Sequence, residues 1–163
     1  MSLPGWRSRR RQAPAPGVAA VLLATPGVSV GDAAIDAAII AAGGELILVL
    51  TVAKIYGTSL GLQFPGLLPT KREMQEQRDI VADAIARIKR GGGKARGEIV
   101  ATRDNAKTFR RAALRYSVRH VVLVPAASGR LRRLVEGDPA SSLRRRLGQS
   151  VEIQVAERST SDS

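Results

Sequence analysis

Short apolar runs, separated by polar or amphipathic stretches, extend along most of the chain. Four such runs lie at residues 17–24, 45–53, 95–102 and 120–124. Apolar runs of this length are typical of strands that are buried on both faces of a parallel sheet. The 95–102 run is weaker and contains Gly97, which favours an edge strand. Residues 151–156 alternate apolar and polar positions, as a half-exposed fifth strand does.

The stretches between these runs have the features of helices. They lie at 31–42, 70–90, 105–116 and 138–147. Thr70 and Glu73 have the spacing of a capping box at the start of the second helix. Either Asp104 or Asn105 caps the third helix, and Asp138 caps the fourth.

The order βαβαβαβαβ predicts an α/β fold, with an open, mainly parallel five-stranded sheet and helices on both faces. A single domain is expected over residues 18–157, between a basic arm at 1–17 and a polar tail at 158–163. Ligands of such sheets bind at the carboxyl ends of the strands, where the strand order reverses. In this chain that position corresponds to the loops that follow Ala24 and Val124.

The composition narrows the classes of function. The chain of 163 residues carries 26 Lys and Arg against 14 Asp and Glu, which gives a net charge of +12. It has no cysteine, which excludes disulfides, cysteine nucleophiles and thiolate metal sites. The single histidine, His120, opens a predicted buried strand, and we interpret it as structural. No Walker loop and no Ser-His-Asp set is present, so we predict no catalytic residue, no metal site and a protein that is not an enzyme, with a weak ATPase activity left open.

The charged segments bear on location and partners. Residues 1–17 contain four Arg and no acid, and no apolar run of a secretory signal follows them, so a cytoplasmic location is expected. No apolar run reaches the ~18 residues of a membrane span. Arg clusters at 110–119, 130–133 and 144–146 make binding to nucleic acid or another polyanion an alternative function. The long loop at 54–69, with its apolar residues, makes a non-enzymatic protein-interaction module a further alternative.

Residues 18–157 resemble the universal stress protein family. The segments that carry the resemblance are 21–24, 50–52, 104–106, 121–134 and 151–155. They are similar to the family's first two strands, its Asp-Pro-Ala helix opening, its glycine-rich phosphate loop and its closing strand. The resemblance implies a strand order of 3-2-1-4-5, binding of ATP or another adenine nucleotide, and a role in stress response. It also implies a homodimer that pairs through the last strand, at Val151, Ile153 and Val155.

The phosphate loop departs from the family pattern. ATP-binding members carry Gly-x-x-Gly, nine further residues, and then Gly-Ser or Gly-Thr. Here the two motif glycines fall on Pro125 and Ser128, and the final pair falls on Gly137 and Asp138. The family's acidic residue after the first strand falls on Thr25. The resemblance therefore implies a nucleotide site formed by Thr25, Pro26, Val52, Pro125, Ala126, Ser128, Gly129, Arg130, Gly137 and Asp138.

These departures change the chemistry of the phosphate loop. Pro125 lacks the N–H group that a phosphate oxygen would accept from a glycine at that position. A carboxylate at Asp138 costs on the order of 4 kcal/mol if it lies about 4 Å from a phosphate charge at an effective dielectric of roughly 20. Arg130, Arg132 and Arg133 offset that repulsion, because guanidinium groups bind phosphate well. The residues thus leave open an adenine nucleotide, a different nucleotide or no ligand.

Overall fold

The computed structural model of the protein describes residues 18–54, 69–125, 139–147 and 151–156. Its strands are β1 (Val21–Thr25), β2 (Leu46–Lys54), β3 (Lys94–Thr102), β4 (His120–Leu123) and β5 (Glu152–Val155). Its helices are α1 (Asp32–Ala42), α2 (Lys71–Arg90), α3 (Asn105–Arg115) and α4 (Pro139–Leu147). The predicted alternation of strands and helices is confirmed. No helix in these segments is both long and apolar enough to cross a membrane.

Two strand ends differ from the prediction. Thr25 and Lys54, which the sequence placed in a turn and a loop, are the last residues of β1 and β2. Both continue the pairing of the sheet, because Thr25 lies opposite Thr51 and Lys54 lies opposite Thr102. The predicted basic arm, most of the loop between β2 and α2, and the polar tail lie outside the described residues.

Within the described residues the strands form one parallel sheet in the order β3-β2-β1-β4-β5. The predicted order and the edge position of β3 are therefore confirmed. Because all five strands run in the same direction, their carboxyl ends meet at one edge of the sheet. The chain order reverses between β1 and β4, and ligands of open α/β sheets bind at that point.

Each face of the sheet carries its own hydrophobic core. The face covered by α3 and α4 is packed by Phe109, Ala112, Ala113, Leu143 and Leu147. The face covered by α1 and α2 is packed by Ala34, Ile35, Ala38, Val81, Ala84 and Ile88. Alternate residues of β1 enter the two cores, with Leu22 on the first face and Leu23 on the second. All of β1 is buried, so it is the strand around which both layers of helices pack.

Helix α2 is fixed at its start by a cap and farther along by a bridge to α1. The Glu73 N–H donates to Thr70 Oγ1 at 3.2 Å, and the Thr70 N–H donates to Glu73 Oε2 at 2.6 Å. This is the predicted capping box, and its backbone and side-chain hydrogen bonds lower the pKa of Glu73. Arg87 donates to the Val30 carbonyl oxygen at 2.5 Å and also binds Asp32, so α2 is tied to the start of α1.

The edge strand β3 comes very close to α2 at Gly97. A β-carbon on Gly97 would lie 2.2 Å from Val81 Cγ1 and 3.0 Å from Ile85 Cδ1. Both distances are too short for ordinary carbon contacts, so the helix packs directly on the backbone of the strand. The glycine that marks the edge strand in the sequence thus also sets the distance between α2 and the sheet.

The close approach at Gly97 gives a stability prediction. Gly97→Ala is expected to lower the free energy of unfolding by about 1–3 kcal/mol, because the new methyl group must displace Val81. Urea unfolding followed by circular dichroism measures this change. In a Val81→Ala background the methyl group has space, and the cost of Gly97→Ala should fall by roughly half or more. Equal costs in the two backgrounds would contradict the proposed steric cause.

Candidate functional site

The candidate site lies at the carboxyl edge of the sheet, in the crevice between the ends of β1 and β4. Pro26 follows Thr25 at the end of β1, and Pro125 lies two residues beyond the end of β4. The two strand ends lie side by side, because the Val124 N–H donates to the Ala24 carbonyl oxygen at 2.9 Å. The structure therefore brings three predicted site residues, Thr25, Pro26 and Pro125, to neighbouring strand ends.

The remaining predicted site residues fall into two groups. Val52 lies near the end of β2, the neighbour of β1, and its side chain is buried. The others lie outside the described residues, and they are Ala126, Ser128, Gly129, Arg130, Gly137 and Asp138. Their contribution to a nucleotide site stays a prediction.

Thr25 is fully buried, and its hydroxyl closes the turn that follows β1. The hydroxyl donates to the Val28 carbonyl oxygen at 2.5 Å and accepts from the Val28 N–H at 3.1 Å. Both hydrogen-bonding functions of the hydroxyl are thus used within the turn. At the position where the family resemblance places an acidic residue, this chain has a neutral side chain that holds its own backbone.

A second polar group ties the turn after β1 to α2 and β2. The buried Thr51 hydroxyl donates to Gln77 Oε1 at 2.5 Å, and Gln77 Nε2 lies 3.5 Å from the Gly27 carbonyl oxygen. Gly27 has a φ of +88°, and a β-carbon there would lie 2.8 Å from the Val52 carbonyl oxygen. The turn after β1 is therefore packed against the end of β2, where a side chain on Gly27 has no room.

Sequence reasoning did not identify Thr51 or Gln77. Both carried a detectable signal, because Thr51 is a hydroxyl within an apolar run and Gln77 lies one helical turn before Val81 on the buried face of α2. A polar residue at an apolar position of a helix is expected to have a buried partner. The sequence gives no means of choosing that partner, since Thr51 and Gln77 are 26 residues apart.

The end of β3 is closed by side-chain hydrogen bonds of the same kind. Thr102 Oγ1 accepts from the Asp104 N–H at 3.1 Å and from the Thr108 hydroxyl at 2.8 Å. Asp104 Oδ1 accepts from the Lys107 N–H at 2.9 Å, so Asp104, one of the two predicted caps, is the N-cap of α3. The start of α3 is therefore already occupied by a carboxylate of the chain itself.

The single histidine lies at the opposite edge of the sheet. His120 is the first residue of β4, and its Nδ1 lies 3.2 Å from Glu152 Oε2 on β5. This cross-strand contact agrees with the structural interpretation of His120, since the candidate crevice is at the carboxyl end of β4. In the described part of the chain, no group of three or more His, Asp or Glu side chains is placed to hold a metal ion.

The structure brings two of the predicted Arg clusters to one face. Helices α3 and α4 pack side by side over the same core, so Arg110, Arg111 and Arg115 lie on the helix next to the one that carries Arg144 and Arg145. The third cluster, at 130–133, lies outside the described residues.

An acidic residue of β3 and a tyrosine at the end of α3 lie beside these arginines. The Tyr116 hydroxyl donates to Glu98 Oε2 at 2.8 Å, and Arg115 Nη1 lies 3.8 Å from Glu98 Oε1. Burial and the interaction with Glu98 raise the pKa of Tyr116 above its ordinary value of 10.0. The buried Tyr116 hydroxyl therefore anchors the end of α3 to β3 in its neutral form.

The predicted dimer strand β5 is an edge of the described sheet. The N–H groups of Glu152 and Ala156 donate towards the β4 side at 2.9 Å. In a parallel ladder alternate residues bond to the same neighbour. The backbone polar groups of Ile153 and Val155, two of the three predicted dimer residues, therefore point away from β4, whereas Val151 precedes the strand.

One backbone group of this edge has a side-chain partner. Arg144 Nη2 donates to the Ile153 carbonyl oxygen at 3.3 Å, whereas the Ile153 side chain is buried in the core. Val155, at the end of the strand, is 41% exposed. The centre of this edge is thus partly covered by the Arg144 side chain, and its end carries the exposed apolar side chain of Val155.

Solved structures with a similar fold have low sequence identity to this chain. A protein of the universal stress protein family from Burkholderia pseudomallei is 19% identical, over 86% of this chain and 97% of its own, with a TM-score of 0.58. A universal stress protein from Archaeoglobus fulgidus in complex with dAMP is 12% identical, over 85% of this chain and 98% of its own, with a TM-score of 0.54. A universal stress protein in complex with cAMP is 13% identical, over 88% of this chain and 100% of its own, with a TM-score of 0.58.

The fold is that of the universal stress proteins. The sequence itself matches no protein-family model and no curated protein. The likeness to these structures therefore concerns the fold alone. The chemistry of the crevice between β1 and β4 must be judged from this chain's own residues. At that edge the Thr25 and Thr51 hydroxyls are hydrogen-bonded within the protein.

The Gln77 hydrogen bonds give a second stability prediction. Gln77→Leu removes the acceptor of the buried Thr51 hydroxyl, and we expect the free energy of unfolding to fall by about 1–3 kcal/mol. Adding Thr51→Val removes the unpaired hydroxyl, so the double variant should be more stable than Gln77→Leu alone. Thermal and urea unfolding of the four proteins in this cycle measure the coupling. Additive losses would mean that the hydrogen bond contributes nothing measurable.

The Tyr116 hydroxyl gives a pH prediction. The folded protein holds this proton more tightly than the unfolded chain, so the stability it contributes is lost as the pH rises above about 10. The free energy of unfolding should therefore fall more steeply above that pH for the native protein than for Tyr116→Phe. Urea unfolding over a series of alkaline pH values tests this difference, and parallel pH curves for the two proteins would disprove it.

Proposed function

We propose that the protein is a universal stress protein-type domain that binds an adenine nucleotide in the crevice between β1 and β4. The observation that carries this proposal is the reversal of strand order between these two strands. Directly after β4, at 125–138, the sequence resembles the family's phosphate loop. Similarly folded proteins in complex with dAMP and cAMP support an adenine nucleotide as the ligand class.

In the proposed complex, the adenosine part of the ligand lies against Thr25, Pro26 and Val52. The Thr25 hydroxyl is already bonded within the turn, and Gly27 packs close to the Val52 carbonyl oxygen. Recognition here therefore relies on backbone groups and on shape rather than on a carboxylate. Selectivity between adenine and other bases should be correspondingly modest, because few side-chain donors and acceptors are left to read the base.

The phosphates are assigned to the segment that follows β4. Pro125 supplies no N–H group, so we assign phosphate binding to Ser128, Gly129, Arg130 and Gly137. Asp138 opposes a polyphosphate by charge repulsion, and this repulsion grows with the number of phosphate charges. A nucleotide with a single phosphate group is therefore expected to bind better than ATP.

We expect binding without turnover. The chain has no cysteine, and its single histidine lies at the amino end of β4 against Glu152, at the opposite edge from the crevice. The Thr25 and Thr51 hydroxyls are hydrogen-bonded to carbonyl oxygens of Val28 and Gln77, so neither is next to a general base. The proposed role is that of a nucleotide-dependent binding protein in the stress response.

The proposed assembly is a homodimer that pairs through β5. The outward-facing backbone groups of Ile153 and Val155 are suited to pairing with a second copy of the strand, Val151 would extend the pairing, and Val155 adds an exposed apolar side chain. The Arg144 side chain must leave the Ile153 carbonyl oxygen for a continuous ladder to form.

The first experiment identifies the ligand. The purified protein is denatured, the released small molecules are identified by mass spectrometry, and AMP, ADP, ATP and cyclic AMP are titrated into the emptied protein by calorimetry. A stoichiometric adenine nucleotide supports the proposal. No released nucleotide and no heat at millimolar nucleotide would contradict it. Sedimentation of the same samples gives the mass of the assembly, and a monomer at all concentrations would exclude the dimer.

Two variants test the phosphate assignment. Asp138→Ser is expected to strengthen ATP binding by about tenfold or more, since removing one repelling charge is worth at least ~1.4 kcal/mol. Arg130→Ala is expected to weaken binding of every phosphorylated ligand but not of adenosine. Arg72→Ala on α2, whose side chain pairs with Glu76, is the control for loss of one positive charge. Equal effects of the two Arg variants would remove Arg130 from the site.

A further inference from the structure

The net positive charge of the protein is unevenly distributed over the two faces of the sheet. Helix α3 carries four basic residues and α4 carries three, and neither contains an acidic residue. Helices α1 and α2 together carry six basic and six acidic residues, so the opposite face is balanced. We call the outer surface of α3 and α4 the basic face. A charge separation of this kind produces a positive potential over one side of the molecule only.

Ion pairs within one helix form on α2, whereas α3 and α4 contain no acidic residue that could form one. On α2, Arg72 pairs with Glu76 at 3.1 Å, and Arg87 pairs with Asp83 at 3.2 Å. On the basic face, Lys107, Arg111 and Arg145 are exposed, and none of them forms an ion pair with a described residue.

Two further arginines lie on the basic face. One has an N–H donor without a hydrogen-bond partner among the described residues, and the other has a distant carboxylate partner. Arg110 Nε is buried, and the described part of the chain supplies no acceptor for it. Arg115 reaches Glu98 only at 3.8 Å.

Three basic residues of α3 are spaced so that they repel one another, which lowers the stability of the helix when no anion is present. Lys107, Arg111 and Arg115 follow one another at four-residue intervals, so their side chains form one row along α3. Side chains of equal charge at this interval repel each other and weaken a helix. Within the described residues, Glu98 at 3.8 Å from Arg115 is the carboxylate paired with this row, which leaves a net positive surface suited to an anionic partner.

The basic arm of the sequence joins the body at the same place. The Ala19 N–H donates to the Tyr116 carbonyl oxygen at 3.2 Å, so the chain enters the sheet beside the end of α3. The arm carries Arg7, Arg9, Arg10 and Arg11, and Arg11 is seven residues from Val18, the first described residue. The chain therefore leads from this arginine-rich segment directly to the end of α3.

The apolar side chains of the two helices argue against a membrane as the partner. Phe109, Leu143 and Leu147 point into the core, and within the described part of α3 and α4 only Leu114 is a large apolar residue left exposed. Helices that lie in a bilayer surface need an apolar face as well as a basic one. The described aromatic residues, Phe109 and Tyr116, are buried, so base stacking on a single strand is not provided either.

We propose that the basic face formed by α3 and α4 binds the phosphate backbone of a double-stranded nucleic acid, independently of base sequence. A duplex presents about one negative charge per 1.7 Å of its axis, which suits two adjacent helices that carry rows of cations. The contacts are electrostatic, so the affinity falls steeply with salt and does not depend on the nucleotide crevice at the carboxyl edge.

The test compares two triple variants that remove equal charge from opposite faces. Lys107→Gln, Arg111→Gln and Arg145→Gln remove three exposed cations from the basic face. Lys71→Gln, Lys89→Gln and Arg90→Gln remove three exposed cations from α2. Fluorescence anisotropy with random-sequence DNA and RNA duplexes of about two helical turns measures binding of the full chain over a series of salt concentrations. Circular dichroism and urea unfolding check that both variants remain folded.

The basic-face variant should bind about tenfold or more weakly at low salt, and the slope of log K against log salt should shrink by about two to three units. The α2 variant should bind within roughly twofold of the native protein. Binding to DNA, to RNA or to both supports the proposal and shows which duplex is recognised.

Two results of the same comparison would overturn the proposal. Equal losses in both triple variants would mean that only the net charge matters. Native duplex affinity in both triple variants would mean that the N-terminal arm binds the duplex without the basic face. The protein is also mixed with vesicles of phosphatidylcholine, with and without phosphatidylserine. Binding to the anionic vesicles without binding to a duplex would show that the partner of the basic face is a membrane surface and not a nucleic acid.

Discussion

The strand β1 is buried on both faces, and this burial is the constraint on which the rest of the structure depends. Residues Val21 to Ala24 have no exposed surface, so their backbone groups must find partners inside the protein. Parallel neighbours on both sides, β2 and β4, supply those partners. Apolar side chains on both faces then require a helix layer above and below the sheet. The position of the ligand crevice follows from the same requirement, since the chain must leave β1 and β4 in opposite directions.

The carboxyl edge of the sheet shows how the polar ends of buried strands are satisfied. Thr25 is bonded to Val28, Thr51 to Gln77, and Thr102 to Thr108, all within the protein. These bonds fix the loops, and Lys54, the last residue of β2, is a charged residue at the same edge. In the proposed site the phosphates are assigned to the segment that follows β4, where the sequence contains three Arg and also Asp138.

The two faces of the sheet differ in the charge of the helices that cover them, although their cores are built alike. Small Ala residues line the inner sides of α1 and α3, which lets both helices pack close to the strands. The outer side of α2 is laced with ion pairs, as is usual for a solvated helix. Helix α3 contains no acidic residue that could form such pairs, and this difference in charge balance is what carries the assignment of a basic face.

Local signals in the sequence determined the elements of this protein. The capping box of Thr70 and Glu73, the apolar run of β1 and the edge position of Gly97 were all predictable, because each depends on residues close together in the chain. The tertiary structure alone decided which distant residues meet, such as Thr51 with Gln77 and the Arg clusters of α3 with those of α4. Sequence periodicity fixes which side of an element is buried, but the partner across the interface is selected by packing of the whole sheet. The proposed nucleotide site lies between these cases, since its position is inferred from strand order, whereas the ligand it would take depends on a loop whose motif this chain has largely replaced.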